Sequence, residues 1–169
     1  FAFLIVQGMI NTRNTKKYML RLWLFALISQ IPATLLFDNL KLNVLFVFLA
    51  GVALCHFGIQ YLPLYLAVSF VIPFDYGWWG MMIVPLFYWF RKVPYVAALL
   101  VGGLMHFYIQ QTEWTTQYYA WIGIGIALTS LYLPKIKPIK WLQMNKYVFY
   151  WFYPVHLFVL FILSMLYWH

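Results

Sequence analysis

The sequence predicts an all-α integral membrane protein: one domain over residues 1–169, a polytopic bundle of about eight membrane helices whose first helix is truncated. Composition is the first reason. Apolar residues make up 66% of the chain and charged residues 8%, where an average soluble domain has roughly a quarter charged. A chain of this size leaves much of its area exposed, and only hydrocarbon accepts so much apolar surface. The second reason is that apolar runs of helical length are separated by short polar gaps. The third is the order of the charges. Arg13, Lys16, Lys17 and Arg21 mark one gap, Arg91 and Lys92 another, and Lys135, Lys137, Lys140 and Lys146 a third, whereas the acidic residues Asp38, Asp75 and Glu113 fall in the alternate gaps. The positive-inside rule makes the basic gaps cytoplasmic. Lys41 is the single cation on the other side, close to Asp38.

The elements follow in order. Residues 1–10 give only about 15 Å of helix, half a span, so the chain is read as lacking upstream residues. Residues 18–37 form the second element, 43–58 the third and 60–73 a short fourth. Residues 77–90, 94–109, 118–133 and 148–168 complete the set. A full span needs about 20 apolar residues, so the shorter elements imply an uneven or thinned bundle. Pro134 and Pro138 end one helix and delay the next, and this basic stretch lies along the cytoplasmic surface. The alternation puts the carboxyl terminus outside. Short loops and the lack of N-glycosylation sequons fit a bacterial cytoplasmic membrane. Gly51, Gly102, Gly103, Gly123 and Gly125 are read as points of close helix approach, not as a phosphate loop.

Charge and cysteine content narrow the partners. The formal net charge is +8, but the cations sit at helix ends, where an anionic leaflet is the expected partner and nucleic acid is not. Cys55 is alone, so no intrachain disulfide forms. No nucleophile elbow, Walker lysine loop or paired carboxylates occur.

Polar side chains inside spans are where function is sought, because hydrocarbon penalises them. Gln7 and Asn11 are four residues apart, hence on one helical face, and Arg13 and Arg21 flank their level. These cations suit phosphate oxygens, and equally serve as ordinary positive-inside charges. Gln30 lies near mid-bilayer, where a buried amide needs partners. His106 and His156 share a depth and can line one cavity; the alternative is that each is a hydrogen-bonded helix contact. Pro154 frees a carbonyl beside His156. His56 lies at another depth, which argues against a three-histidine metal site, and no metal is expected. Asp75, followed by Tyr76, sits at the external ends of two helices, as a helix cap or as a holder of an amine.

The run from Phe1 to Gly8, then Asn11-Thr-Arg-Asn14, Lys17-Tyr-Met-Leu-Arg-Leu22 and Phe25-Ala-Leu-Ile-Ser-Gln-Ile-Pro32, resembles the TraX family. Asp75-Tyr-Gly-Trp-Trp-Gly80 and Tyr153-Pro-Val-His-Leu157 resemble two further blocks of it in the same order. The resemblance implies an integral membrane acetyltransferase associated with conjugation, akin to the wider membrane acyltransferases, with acetyl-CoA as acyl donor and the pilin amino terminus as the named acceptor. It further implies a general base in an Asp-His pair upstream of Phe1, followed by a Gly-Arg-x-Ala-Phe-Pro segment, neither of which this sequence contains.

On that reading Gln7, Asn11, Arg13 and Arg21 hold the CoA end. Gln30, Asp75 and Tyr76 receive the acceptor, which is an exported peptide, glycan or lipid. His156, with His106, supports the chemistry as base or as donor to the thioester oxygen. The alternatives are a small transporter or channel subunit using the same cavity for passage, and a non-catalytic membrane scaffold.

Overall fold

The computed structural model describes residues 1–109 and 146–167. Their elements are all helices, as expected, joined by short turns. The helices are α1 (Ala2–Asn11), α2 (Thr15–Phe37), α3 (Val44–Phe57), α4 (Leu62–Val71), α5 (Gly77–Trp89), α6 (Pro94–Ile109) and α7 (Lys146–Tyr167), with a 3-10 turn at Ile59–Tyr61. The element expected at residues 118–133 lies outside the described residues. Among these residues α2 is the one helix long and apolar enough to cross a membrane by itself; α1, α3, Ile59–Val71 and Tyr150–Leu166 are apolar but shorter.

Local chemistry sets the boundaries. Asn14 caps α2, its side chain accepting from the Lys17 N–H at 2.9 Å, so α2 begins one turn before its apolar run and includes Lys16 and Lys17. Asp38, at φ 47° and ψ 42°, closes α2 in the left-handed region, which a short polar side chain tolerates. Asn43 then caps α3 by accepting from the Leu45 N–H at 2.9 Å. The stretch expected as one element over residues 60–73 is divided. The 3-10 turn re-aims the chain, and Pro63 stands in the first turn of α4, where its missing N–H costs nothing.

Helices α3 and α5 run side by side at the centre. α2 covers α3 and carries α7 on its other flank; α1, α4 and α6 pack on α5. Ile5, Val6, Leu22, Ala26, Val52 and Val84 form the dry middle of the core. The α3–α5 contact is close because two glycines permit it. A Cβ at Gly51 would come within 2.7 Å of the Val84 Cβ, and one at Gly80 within 2.8 Å of the Val47 Cγ1. Gly51 thus has the packing role expected of it. At Gly103 no described residue lies within 4 Å of where its Cβ would stand. The outer surface is oily, with Leu40, Val71 and Phe70 at 84%, 82% and 78% exposure.

Gly51→Ala is expected to lower stability by about 1–3 kcal/mol, the usual cost of overpacking a close contact. Thermal unfolding in detergent measures this, and Val84→Ala in the same chain should recover part of the loss. A double variant as unstable as the sum of the two singles would show that the Gly51–Val84 approach is not the source.

Candidate functional site: a crevice between a basic and an acidic end

The α1–α2 turn forms the basic end. The Asn11 Nδ2 donates to the backbone carbonyl of Gln7 at 2.9 Å, so these two residues meet through the main chain and close the last turn of α1. Arg13 stands exposed in the turn. The buried Tyr18 hydroxyl donates to the Ile5 carbonyl at 3.0 Å and ties α2 to α1. One turn further along α2, Arg21 is half-buried, its guanidinium 6.0 Å from the centroid of the Tyr150 ring. Tyr150 is held from the other side by Phe25, stacked at 5.1 Å with an interplanar angle of 16°. The Nε of Arg21 is buried and makes no hydrogen bond among the described residues. A buried N–H of a guanidinium without an acceptor costs about 1–3 kcal/mol, so this corner favours an anion.

The acidic end is built on a pair of amides. Gln30 does not project into an open space. Its Nε2 donates to the Thr34 hydroxyl at 3.1 Å and to the Lys41 carbonyl at 2.9 Å, while its Oε1 accepts from the Asn43 N–H at 3.0 Å and the Asn43 Nδ2 at 3.1 Å. Asn43 also donates to the Ala26 carbonyl at 2.8 Å. The start of α3 is thereby pinned level with Ala26–Gln30, although α2 continues to Phe37, about 10 Å further along its axis at 1.5 Å per residue. The α4–α5 turn joins at this lowered level. The Leu42 N–H donates to the Pro73 carbonyl at 2.8 Å and the Asp75 N–H to the Leu42 carbonyl at 3.0 Å, around a parallel bridge between Leu42 and Phe74. The mouth at this end is therefore recessed.

Asp75 lies in the wall of the recess, half-buried. Burial lifts its carboxyl above the ordinary 3.8, and the Lys41 ammonium partly offsets the rise. From α7 the Tyr153 hydroxyl has the Asp75 carboxylate, the Tyr76 phenol and the Val44 backbone amide as electrostatic neighbours.

Between the two ends lies a narrow crevice, too tight to hold a water, lined by Phe1, Ile5, Leu22, Leu45, Tyr150 and Tyr153. Neither histidine lines it. His156 is exposed on α7, its ring stacked on Phe152 at 5.7 Å. His106 is half-buried in the last turn of α6. α7 packs on α2 and α6 on α5. The sequence reading missed Tyr150 and Tyr153, which occupy the place it gave to Gln30 and His156. The available signal was their spacing of three, one face of a helix, inside the block that also holds His156.

The chain matches the family described as TraX protein over residues 1–164. It belongs to the TraX family. Neither a curated protein nor a solved structure matches it. The TraX match spans both ends of the crevice, so the cation corner, the amide pair and the acidic recess all fall within the shared region.

The raised Asp75 carboxyl gives a pH dependence with a definite sign. The folded state holds this proton more tightly than the unfolded chain, so Asp75 favours folding at low pH and costs stability as pH rises through its ordinary value toward its folded one. Asp75→Asn should therefore be more stable than the parent at neutral pH, with the gap closing in acid. Detergent unfolding midpoints from neutral to acidic pH measure it; a gap that widens in acid would reverse the sign.

Proposed function

We propose that this TraX family member is an integral membrane acetyltransferase, moving an acetyl group from cytoplasmic acetyl-CoA to an acceptor presented on the other face of a bacterial inner membrane. The observation that carries the reading is Arg21. Its Nε is buried without an acceptor among the described residues, the exposed Arg13 stands in the turn that precedes its helix, and the chain contains only three acidic side chains to answer its cations. A guanidinium so placed fits the phosphates of a nucleotide-bearing acyl donor, which it binds with directional hydrogen bonds.

The membrane setting, a multi-pass bundle with its carboxyl terminus outside, is supported by charge order and surface together. The α5–α6 turn carrying Arg91 lies near Cys55 at the far end of α3, opposite the end where Lys41 meets Asp75. Among the described residues the bundle thus separates the basic gap at Arg91 from the acidic gaps at Asp38 and Asp75. Large apolar side chains such as Ile31, Phe70, Val71 and Leu166 face outward along its sides, where lipid is their natural solvent. Helices α3, α4 and α5 are shorter than a full span, which fits a locally thinned or recessed bundle.

In this reading Arg13 and Arg21 hold the phosphate end of acetyl-CoA, and Gln7 and Asn11 shape the turn that carries Arg13. Asp75 and Tyr76 receive the acceptor, a pilin amino terminus or another exported peptide, glycan or lipid amine or hydroxyl. Gln30 acts at one remove by fixing the depth of the recess. The six side chains of the crevice include no base. The family resemblance places an Asp-His pair in a helix preceding the position of Phe1. Phe1 itself lines the crevice, with its ring 6.2 Å from that of Tyr153. His156 and His106 are left with supporting roles.

Full-length protein in membranes, given labelled acetyl-CoA and exported peptide acceptors, should transfer label. Arg21→Ala should raise the KM for acetyl-CoA by roughly 10- to 100-fold, the equivalent of a charged hydrogen bond, with a smaller effect on the acceptor KM. Equal losses for both substrates would remove the CoA end from this corner, and no transfer by the parent protein would end the enzyme reading.

A further inference from the structure

The crevice between the two ends is shut, too tight for a water, and four of its six walls are fixed. Ile5, Leu22, Leu45 and Tyr150 are at most 6% exposed. Ile5 is held through its carbonyl, which accepts from the Tyr18 hydroxyl at 3.0 Å. Leu45 is held through its N–H, which donates to the Asn43 side chain at 2.9 Å, and that side chain is bonded in turn to Ala26 and Gln30 of α2. Tyr150 is wedged between the rings of Phe25, stacked at 5.1 Å, and Tyr18, at 6.4 Å. Walls packed in this way yield little to a larger guest, because neighbouring side chains are forced off their rotamers.

Leu45 marks the acceptor end of the crevice. It stands three residues after Leu42, whose carbonyl accepts from the Asp75 N–H at 3.0 Å. Leu22 and Tyr150 mark the other end: the first follows Arg21 in sequence, and the ring of the second lies 6.0 Å from its guanidinium. A thioester whose CoA end is held at Arg21 therefore presents its acyl group toward Leu45. In transfer the acceptor's nitrogen or oxygen bonds to the carbonyl carbon, the C–S bond breaks, and the proton given up by the acceptor ends on the CoA thiol. The alkyl end of the acyl group takes no part, so these steps are alike for acetyl, propionyl and butyryl groups. What differs is the space each needs beside the carbonyl.

We propose that Leu45 is a specificity-determining residue that restricts transfer to the shortest acyl group, an inference that rests on the acetyltransferase reading. A carbonyl with a single methyl parts the shut crevice by the least amount. Each further methylene has to displace a wall that a hydrogen bond, a ring stack or full burial already holds. One methylene more or less in an apolar site changes kcat/KM by about 10- to 200-fold.

The test uses full-length protein in membranes, with peptide acceptors and acetyl-, propionyl- and butyryl-CoA. The parent should lose at least about tenfold in kcat/KM with each added methylene. Leu45→Ala should raise the butyryl-to-acetyl ratio of kcat/KM by about tenfold or more, and Leu45→Val, a milder change that removes one carbon, should raise the propionyl-to-acetyl ratio. Val52→Ala, in the dry middle of the core and outside the crevice, should lower the detergent unfolding midpoint and leave both ratios where they were. A parent that transfers butyryl as well as acetyl would overturn the proposal and leave an acyltransferase in place. Ratios unmoved by Leu45→Val and by any folded Leu45→Ala protein, or moved equally by Val52→Ala, would overturn it as well. No transfer of any acyl group by the parent overturns both readings.

Discussion

Two amides decide the shape of the acidic end. Asn43 at the start of α3 donates from its backbone and its side chain to the Gln30 Oε1 on α2, and the two amides spend their remaining groups on Thr34, the Ala26 carbonyl, the Lys41 carbonyl and the Leu45 N–H. Neutral amides suit this position, since each supplies donors and acceptors without the desolvation cost that a charge would carry. The pair fixes where α3 begins, and so fixes Leu42, which bonds to Pro73 and to the backbone of Asp75. Asp75 in turn stands beside Tyr153. Replacing either amide would leave the other with unsatisfied buried groups, at about 1–3 kcal/mol for each, and would release every later member of this series.

The helical class and the order of the elements were legible because the apolar runs are long and the gaps carry the charges. Boundaries were less so. Thr15, Lys16 and Lys17 belong to α2 because Asn14 caps it, and a cap lies outside the apolar run that hydropathy reads. The need of Gln30 for partners was legible from its depth. That the partners would be Asn43 and the Lys41 carbonyl was not, because nothing in the sequence shows how far the chain descends after Asp38. Gln30 was expected to receive the acceptor, but its hydrogen-bonding groups are consumed by Thr34 and by the turn that follows its own helix.

The exchange of His156 for Tyr153 has a different cause. On a helix with one wet and one dry face the periodicity of apolar residues tells which side chains turn inward. Helix α7 is apolar on both faces. Tyr150, Pro154 and Leu157 are buried while Trp151, Phe152, Val155 and Phe158 are exposed, and the two sets are alike in hydropathy. The register of α7 was therefore invisible, and the histidine drew notice by its chemistry alone. A tyrosine draws less, because its ring explains itself equally well at a membrane interface or in a core. Only the packing against Phe25, Phe1 and Arg21 separates these uses.

The short helices complete the argument. Helix α3 has 14 residues and α5 has 13, about 20 Å each at 1.5 Å per residue, against a hydrocarbon core of about 30 Å. In the membrane reading a bundle with such a centre cannot bring both of its ends to the two surfaces. The amide pair assigns the shortfall to the acidic side by lowering α3 against the longer α2. Cations at the other end can stay at the headgroup level, where Arg13 and Lys16 are exposed, while Asp75 and Tyr153 lie below the opposite surface. On the proposed acetyltransferase reading, a charged donor molecule and an exported acceptor would reach toward one another over a path shorter than the membrane is thick, and the recess is what shortens it.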